Sequence, residues 1–155
     1  MRRTRDSVLM DCAYAFQVRS TCIRKVGAVI ALDGRILSTG YNGTPAGMSH
    51  CNHSCTCQWA QLSVHRPNHQ EGCLTTAPCL RTVHAETNAI IYAARHGVRI
   101  SGATLYTTVS PCFPCALVIV NAGLVRVVYD TAYRDPAGIE LLHEASIEMR
   151  QLTKA

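Results

Sequence analysis

Four side chains limit what this chain can become. His84 and Glu86 open one helix-like stretch, and Cys112 and Cys115 open another behind Pro111, with a strand-like run between them. An imidazole and two thiols gathered in one place can hold a zinc ion and leave a fourth position open, which separates a catalytic zinc from a structural one. For them to gather, both helices must begin at the same end of a sheet, where α/β folds place their sites. The Cys-x-x-Cys spacing puts both sulfurs on one side of a first helical turn, and the partial positive charge of a helix start favours thiolates. Zinc held this way can bring a water toward a pKa of ~7. Glu86 stands too close to His84 to be idle and is not needed as a fourth ligand. It is placed to move protons between that water, a ring nitrogen and a leaving amine.

Each piece alone has a plainer reading: a redox pair for the cysteines, a hydrogen-bonded core histidine, a capping glutamate. Together, His-x-Glu and Pro-Cys-x-x-Cys form the known signature of zinc deaminases of nucleobases.

The rest of the chain reads as one α/β domain, residues 1–155. Residues 5–19 carry Val8, Leu9, Cys12, Ala13, Ala15 and Phe16 at helical spacing, with Thr4 or Asp6 as cap and Cys12 as a small core residue. Residues 26–32 are short, apolar and β-branched, a buried strand; Asp33-Gly34 turns the chain, and residues 35–40 return. A glycine-rich loop, Tyr41-Asn42-Gly43-Thr44-Pro45-Ala46-Gly47, follows. Residues 84–96 predict a helix packing through Ala85, Ala89, Ile90, Ala93 and Ala94, and Gly97 stops it. Strands at 103–109 and 125–129, a helix from Pro111 to Asn121, a helix at 137–145 and an edge strand at 147–152 complete the alternation. That alternation implies parallel strands joined by helical crossovers.

Totals narrow the class. The chain has 155 residues, enough for a real core, with 48% hydrophobic and 16% charged residues, which suits a globular protein. No run is long enough to cross a bilayer, and no signal-peptide apolar region follows the basic N-terminus, so a cytoplasmic protein is expected. The net charge of +5 suits solubility or attraction to phosphate, and an aromatic content of 6% argues against a polynucleotide groove. Nine cysteines, an odd number without a secretory signal, point to metal rather than to a disulfide framework.

The chain resembles the deoxycytidylate (dCMP) deaminase family of the cytidine-deaminase superfamily. The matching pieces are Arg19-Ser20-Thr21-Cys22, Lys25-Val26-Gly27-Ala28-Val29-Ile30, the Tyr41–Gly47 loop with Gly40, Val83-His84-Ala85-Glu86-Thr87-Asn88-Ala89-Ile90-Ile91, Gly102 to Thr108, Ser110-Pro111-Cys112-x-x-Cys115-Ala116, and Ile119 to Tyr129. The zinc motif is shared with deaminases of other bases; the Tyr-Asn-Gly loop is what points to dCMP. The resemblance implies a three-layer sandwich, a five-stranded mixed sheet with helices on both faces. It implies that an activated water attacks carbon 4 of cytosine, giving dUMP and ammonia, with Glu86 moving the protons. By resemblance, Asn42 contacts the sugar, Thr44 stands on the phosphate side, and the Ala85 carbonyl and the Ser110 turn hold the base. Tyr133-Arg134-Asp135, after the fourth strand, could line the pocket mouth; Lys25, Arg95 and Arg134 are the cations nearest the matched segments, each a candidate for the phosphate or an ordinary solvated charge. The family's usual assembly is a homohexamer, often activated by dCTP (with Mg) and inhibited by dTTP. Rival readings are a deaminase of a modified cytosine nucleotide or of tRNA adenosine, and a DNA-binding or competence-related protein that keeps the fold.

Residues 48–82 depart from the family's pattern. With five cysteines and four histidines they read as an irregular, metal-pinned insertion. By resemblance, Cys22, Cys51 and Cys79 hold a structural zinc, with His50, His53 or another insertion residue as fourth ligand. Cys55, Cys57 and Cys73 with His65 or His69 could hold a second; free thiols and solvent-facing histidines are the alternative.

Overall fold

The computed structural model describes residues 2–22, 24–48, 50 and 82–152. Their elements are α1 (Arg5–Gln17), β1 (Gly27–Leu32), β2 (Arg35–Tyr41), α2 (Ala85–Arg95), β3 (Thr104–Val109), α3 (Phe113–Asn121), β4 (Arg126–Thr131), α4 (Ala137–Glu144) and β5 (Glu148–Gln151). The five strands form one sheet in the order β2-β1-β3-β4-β5. β1 runs antiparallel to both β2 and β3, whereas β3, β4 and β5 are parallel. The mixed sheet and the parallel half follow the expected alternation, and β5 is an edge strand, with β2 at the other edge.

Strand side chains alternate between two cores, as the pleat requires. Ala28, Ile30, Leu105 and Val127 point to the face covered by α2, α3 and α4, joining Ala89, Ala116, Ile119 and Leu142. Val29, Ala31, Tyr106 and Val128 point to the other face, against Leu9, Met10 and Ala13 of α1. One helix on one face and three on the other give the three-layer sandwich. The β1–β2 turn places Asp33 at φ 51 and Gly34 at φ 80, the left-handed pair that a two-residue hairpin requires.

Three readings of the helices are corrected. In α1 the expected Leu9, Cys12, Ala13 and Phe16 do face the core, joined by Met10, whereas Val8 and Ala15 are exposed. Ala94 of α2 is likewise exposed. Pro111 does not open α3: Cys112 is its extended N-cap, and Pro114 takes a first-turn position, where a missing N–H removes no helical bond. At α1 the cap is Thr4, whose side chain accepts the Ser7 N–H.

Asp6 ties α1 to the parallel strands. Its carboxylate accepts from Arg126 at 3.0 and 2.8 Å, from the Tyr106 hydroxyl at 2.9 Å and from Arg150 at 3.0 Å. The Arg126 hydrogen bond holds the Asp6 carboxyl below the usual carboxylate range, against the opposing effect of burial. A depressed value means stability that is present above the unfolded value of about 3.9 and lost as pH falls through the folded one. Asp6→Asn is expected to cost ~1–3 kcal/mol at neutral pH and less below about pH 4. Denaturant titrations at the two pH values check this; an equal loss at both would refute the linkage.

Candidate metal centre

Two helix starts face each other. His84 is the N-cap of α2 and Cys112 the N-cap of α3, each in extended backbone conformation and neither using its side chain to cap its own helix. The first helical bonds come from backbone alone, Asn88 N–H to the His84 carbonyl and Ala116 N–H to the Cys112 carbonyl, both at 2.9 Å. The imidazole and the thiol are thereby left to meet each other. Cys115 lies one turn into α3 and points back toward its start.

His84 Nδ1 stands 3.3 Å from Cys112 Sγ and 3.3 Å from Cys115 Sγ. Among the described residues, His84, Cys112 and Cys115 form a group whose ligand atoms all lie within 4.8 Å of one another. Zinc bonds of about 2.0–2.3 Å at tetrahedral angles place neighbouring ligand atoms ~3.5 Å apart, so the observed spacing and the donor set fit zinc. The Cys112 contact raises the His84 pKa above its ordinary value, with burial opposing.

Glu86 sits beside this group in the first turn of α2, only 4% exposed. Its Oε2 is 3.8 Å from Cys115 Sγ. Burial pushes its carboxyl up to about 7, partly offset by its own backbone N–H and by the His84 charge. A carboxyl titrating near neutrality can both take and give a proton, which is what a shuttle needs.

Two glycines set the position of the ligand-bearing segments. A Cβ on Gly40 would stand 2.2 Å from the Ala85 carbonyl oxygen, so β2 can support the start of α2 only without a side chain there. A Cβ on Gly138 of α4 would stand 2.1 Å from the Pro111 carbonyl oxygen, so α4 rests directly on the peptide that leads into Cys112. The first contact shows the Ala85 carbonyl lying against β2, while its amide, first in the helix, has no intrahelical acceptor.

The other named residues fall into place unevenly. Asn42 is buried and braces the loop before β1: its Oδ1 accepts the Val26 N–H at 2.8 Å and its Nδ2 donates to the Arg24 carbonyl at 2.7 Å. Among the described residues, each amide atom keeps one further hydrogen-bonding position, and the buried Thr44 Oγ1 has no hydrogen-bond partner. Ser110 Oγ accepts the Tyr133 N–H at 2.7 Å, fastening the loop after β4 to the end of β3. Arg134 lies over the Tyr133 ring. Arg95, in the last turn of α2, sits at the opposite end of that helix from His84, ~15 Å along its axis, and is thereby removed from the site. Lys25 is exposed.

Asn88 has no assigned role in the sequence reading, yet its Nδ2 donates to the Tyr41 carbonyl at 2.8 Å and holds α2 to the end of β2. Its place two residues beyond Glu86 was the available signal. Cys22 is buried, with its Sγ 3.4 Å from Thr82 Oγ1 and 3.8 Å from the Asn42 carbonyl. Cys51, Cys55, Cys57, Cys73, Cys79, His53, His65 and His69 lie outside the described residues. His50 is exposed.

A family model for the cytidine and deoxycytidylate deaminase zinc-binding region matches residues 3–131. Deoxycytidylate deaminase of Enterobacteria phage T4 is 36% identical over 96% of this chain and 90% of its own length. ComE operon protein 2 of Bacillus subtilis is 36% identical over 95% of this chain and 70% of its own. Among solved structures, the dCMP deaminase of cyanophage S-TIM5 in complex with dCMP and dUMP superposes with a TM-score of 0.78 at 29% identity, covering 98% of this chain and 99% of that one. With the motif, the fold and the ligand geometry in agreement with these matches, the chain belongs to the cytidine and deoxycytidylate deaminase family.

Proposed function

We propose that the chain catalyses the zinc-dependent hydrolytic deamination of dCMP to dUMP and ammonia, from a single domain spanning residues 1–155 with a Cys/His-rich insertion at about 48–82. The observation that carries this is the buried Glu86 carboxyl standing against a His84–Cys112–Cys115 group of zinc-binding geometry. Zinc, when held by those three residues, supplies a Lewis acid that lowers the pKa of a water.

The protein's own groups do the rest. Glu86 takes one proton of the water and delivers it to ring nitrogen 3. The water's oxygen bonds to carbon 4, Glu86 carries the second proton to the exocyclic amine, and the carbon 4–nitrogen bond breaks with ammonia as leaving group, leaving that oxygen as the carbonyl. Ala85 and the Ser110 turn hold the base. Asn42, with one position free on each amide atom among the described residues, reaches the sugar. The Thr44 hydroxyl, unpartnered among the described residues, supports its role toward the phosphate side. Tyr133, fixed by Ser110, borders the mouth.

The finer assignments rest on the resemblance. Cys22, Cys51 and Cys79, with a fourth ligand from the insertion, form a structural zinc site; Cys55, Cys57 and Cys73 with His65 or His69 are the candidates for a second. The assembly is a homo-oligomer, a hexamer by the family's habit. α3 carries no charged residue and turns Phe113, Leu117 and Val120 outward at i, i+4 and i+7, a face suited to another copy. Regulation by dCTP with Mg and by dTTP, and a cytoplasmic location, belong to the same reading. Among the described residues no helix is long and apolar enough to cross a membrane.

Ammonia release from dCMP, CMP, dCTP, cytidine and tRNA tests the function, with dCMP expected to be turned over fastest. Activity on cytidine with none on dCMP would overturn the substrate. No ammonia from any, with a salt-dependent DNA mobility shift, would favour the DNA-binding rival, which the presence of Glu86 argues against.

A further inference from the structure

We infer that Thr87 is a positioning residue for the metal centre: its hydroxyl donates a hydrogen bond to the Cys115 sulfur and tempers the negative charge that sulfur carries when it holds an ion. The inference rests on the zinc reading above and concerns a residue outside the ligand set and outside the proton path.

Thr87 follows Glu86 in the first turn of α2, half-buried, with its Oγ1 3.6 Å from Cys115 Sγ. A threonine in a helix ordinarily turns its hydroxyl to the carbonyl three or four residues back. Here the hydroxyl's partner is instead the Cys115 sulfur, and the two carbonyls take other donors. Val83 accepts the Gly43 N–H at 3.1 Å and the Asn88 side chain at 3.4 Å, and His84 accepts the Asn88 N–H at 2.9 Å. The Thr87 hydroxyl reaches across to α3 instead.

The direction of that bond follows from the chemistry. A cysteine that ligates zinc has lost its proton, so it cannot donate, and the hydroxyl must. The same deprotonation removes the thiol's proton from the 3.8 Å contact between Cys115 and Glu86. Cys115 itself is 3% exposed, so water does little to relieve its charge. A hydroxyl donor on that side stabilises the thiolate and limits the charge it passes to the ion. Partners of this kind, one bond removed from the metal, typically change its affinity by about 10–100-fold when removed.

The probe is Co(II) in place of zinc, with Thr87→Val, which keeps the shape and removes the donor, and Thr87→Ser, which keeps the donor. In Thr87→Val the sulfur-to-Co(II) charge-transfer band is expected at lower energy, because unbonded sulfur lone pairs lie higher. Zinc loss to a chelator is expected to be about tenfold faster. Thr87→Ser should match the parent in both. A band and a release rate unchanged in Thr87→Val would overturn the inference while leaving the deaminase reading intact. Equal shifts in the valine and serine variants would also overturn it, since packing rather than the hydroxyl would then be responsible. A parent protein with no sulfur-to-Co(II) band would overturn the inference and the zinc reading together. Since neither readout uses dCMP, a wrong substrate assignment does not affect the result.

Discussion

Glu86→Gln is expected to lower dCMP turnover by about 10²–10⁴-fold while leaving bound zinc and folded stability close to those of the parent. The glutamine keeps the size of the side chain and can still hydrogen-bond in the pocket, but it cannot accept and return a proton. Both proton deliveries in the reaction pass through this carboxyl, so the variant loses them together. Burial suits Glu86 to the task, since it raises the carboxyl from its ordinary value to about 7. Michaelis constants should move little, because the carboxyl's largest contribution comes as bonds are made and broken. Steady-state kinetics with metal analysis on the same preparations provide the check, and a variant that turned over dCMP at the parental rate would remove Glu86 from the mechanism.

Cys112→Ala is expected to lose the ion and the reaction together. Without its sulfur, the His84–Cys115 pair offers two ligands, too few for a stable zinc site. Metal content should fall by one zinc per chain, with any structural zinc retained, and ammonia release should drop to background. The folded state should also weaken. An ion that binds only the folded chain at about a thousand times its dissociation constant contributes ~4 kcal/mol, and that linkage disappears. The comparison with Glu86→Gln separates chemistry from assembly: one variant keeps the ion and loses the reaction, the other loses both. A Cys112→Ala protein with unchanged zinc content would show that the ion is held elsewhere.

The sheet and the metal group were legible in the sequence because their signals are local and strong. Val29, Ile30 and Ala31 form an unbroken apolar run, Asp33-Gly34 marks a turn, and His84, Cys112 and Cys115 carry chemistry that few other arrangements would use. What was not legible depends on direction. Where the Ala85 carbonyl lies is decided by Gly40, whose missing side chain lets β2 press against it. The distance of Arg95 from the site follows from its place at the far end of α2, although its neighbours in sequence match the family motif. Asn42 is expected from the resemblance to contact the sugar; its amide also braces residues 24 and 26, a contact no spacing rule displays. Thr87 stood inside the motif without a role because its partner is on another helix.

The pairing of Gly43 with Val83 has a consequence for how the chain can vary in length. Each donates its N–H to the other's carbonyl, at 3.1 and 2.9 Å, immediately before His84. The two ends of the intervening segment are thus clamped together at the threshold of α2, and the start of that helix is set by the clamp. A single residue added between Val83 and Glu86, or between Cys112 and Cys115, would swing a ligand or the carboxylate by about 100° around its helix axis and dismantle the site.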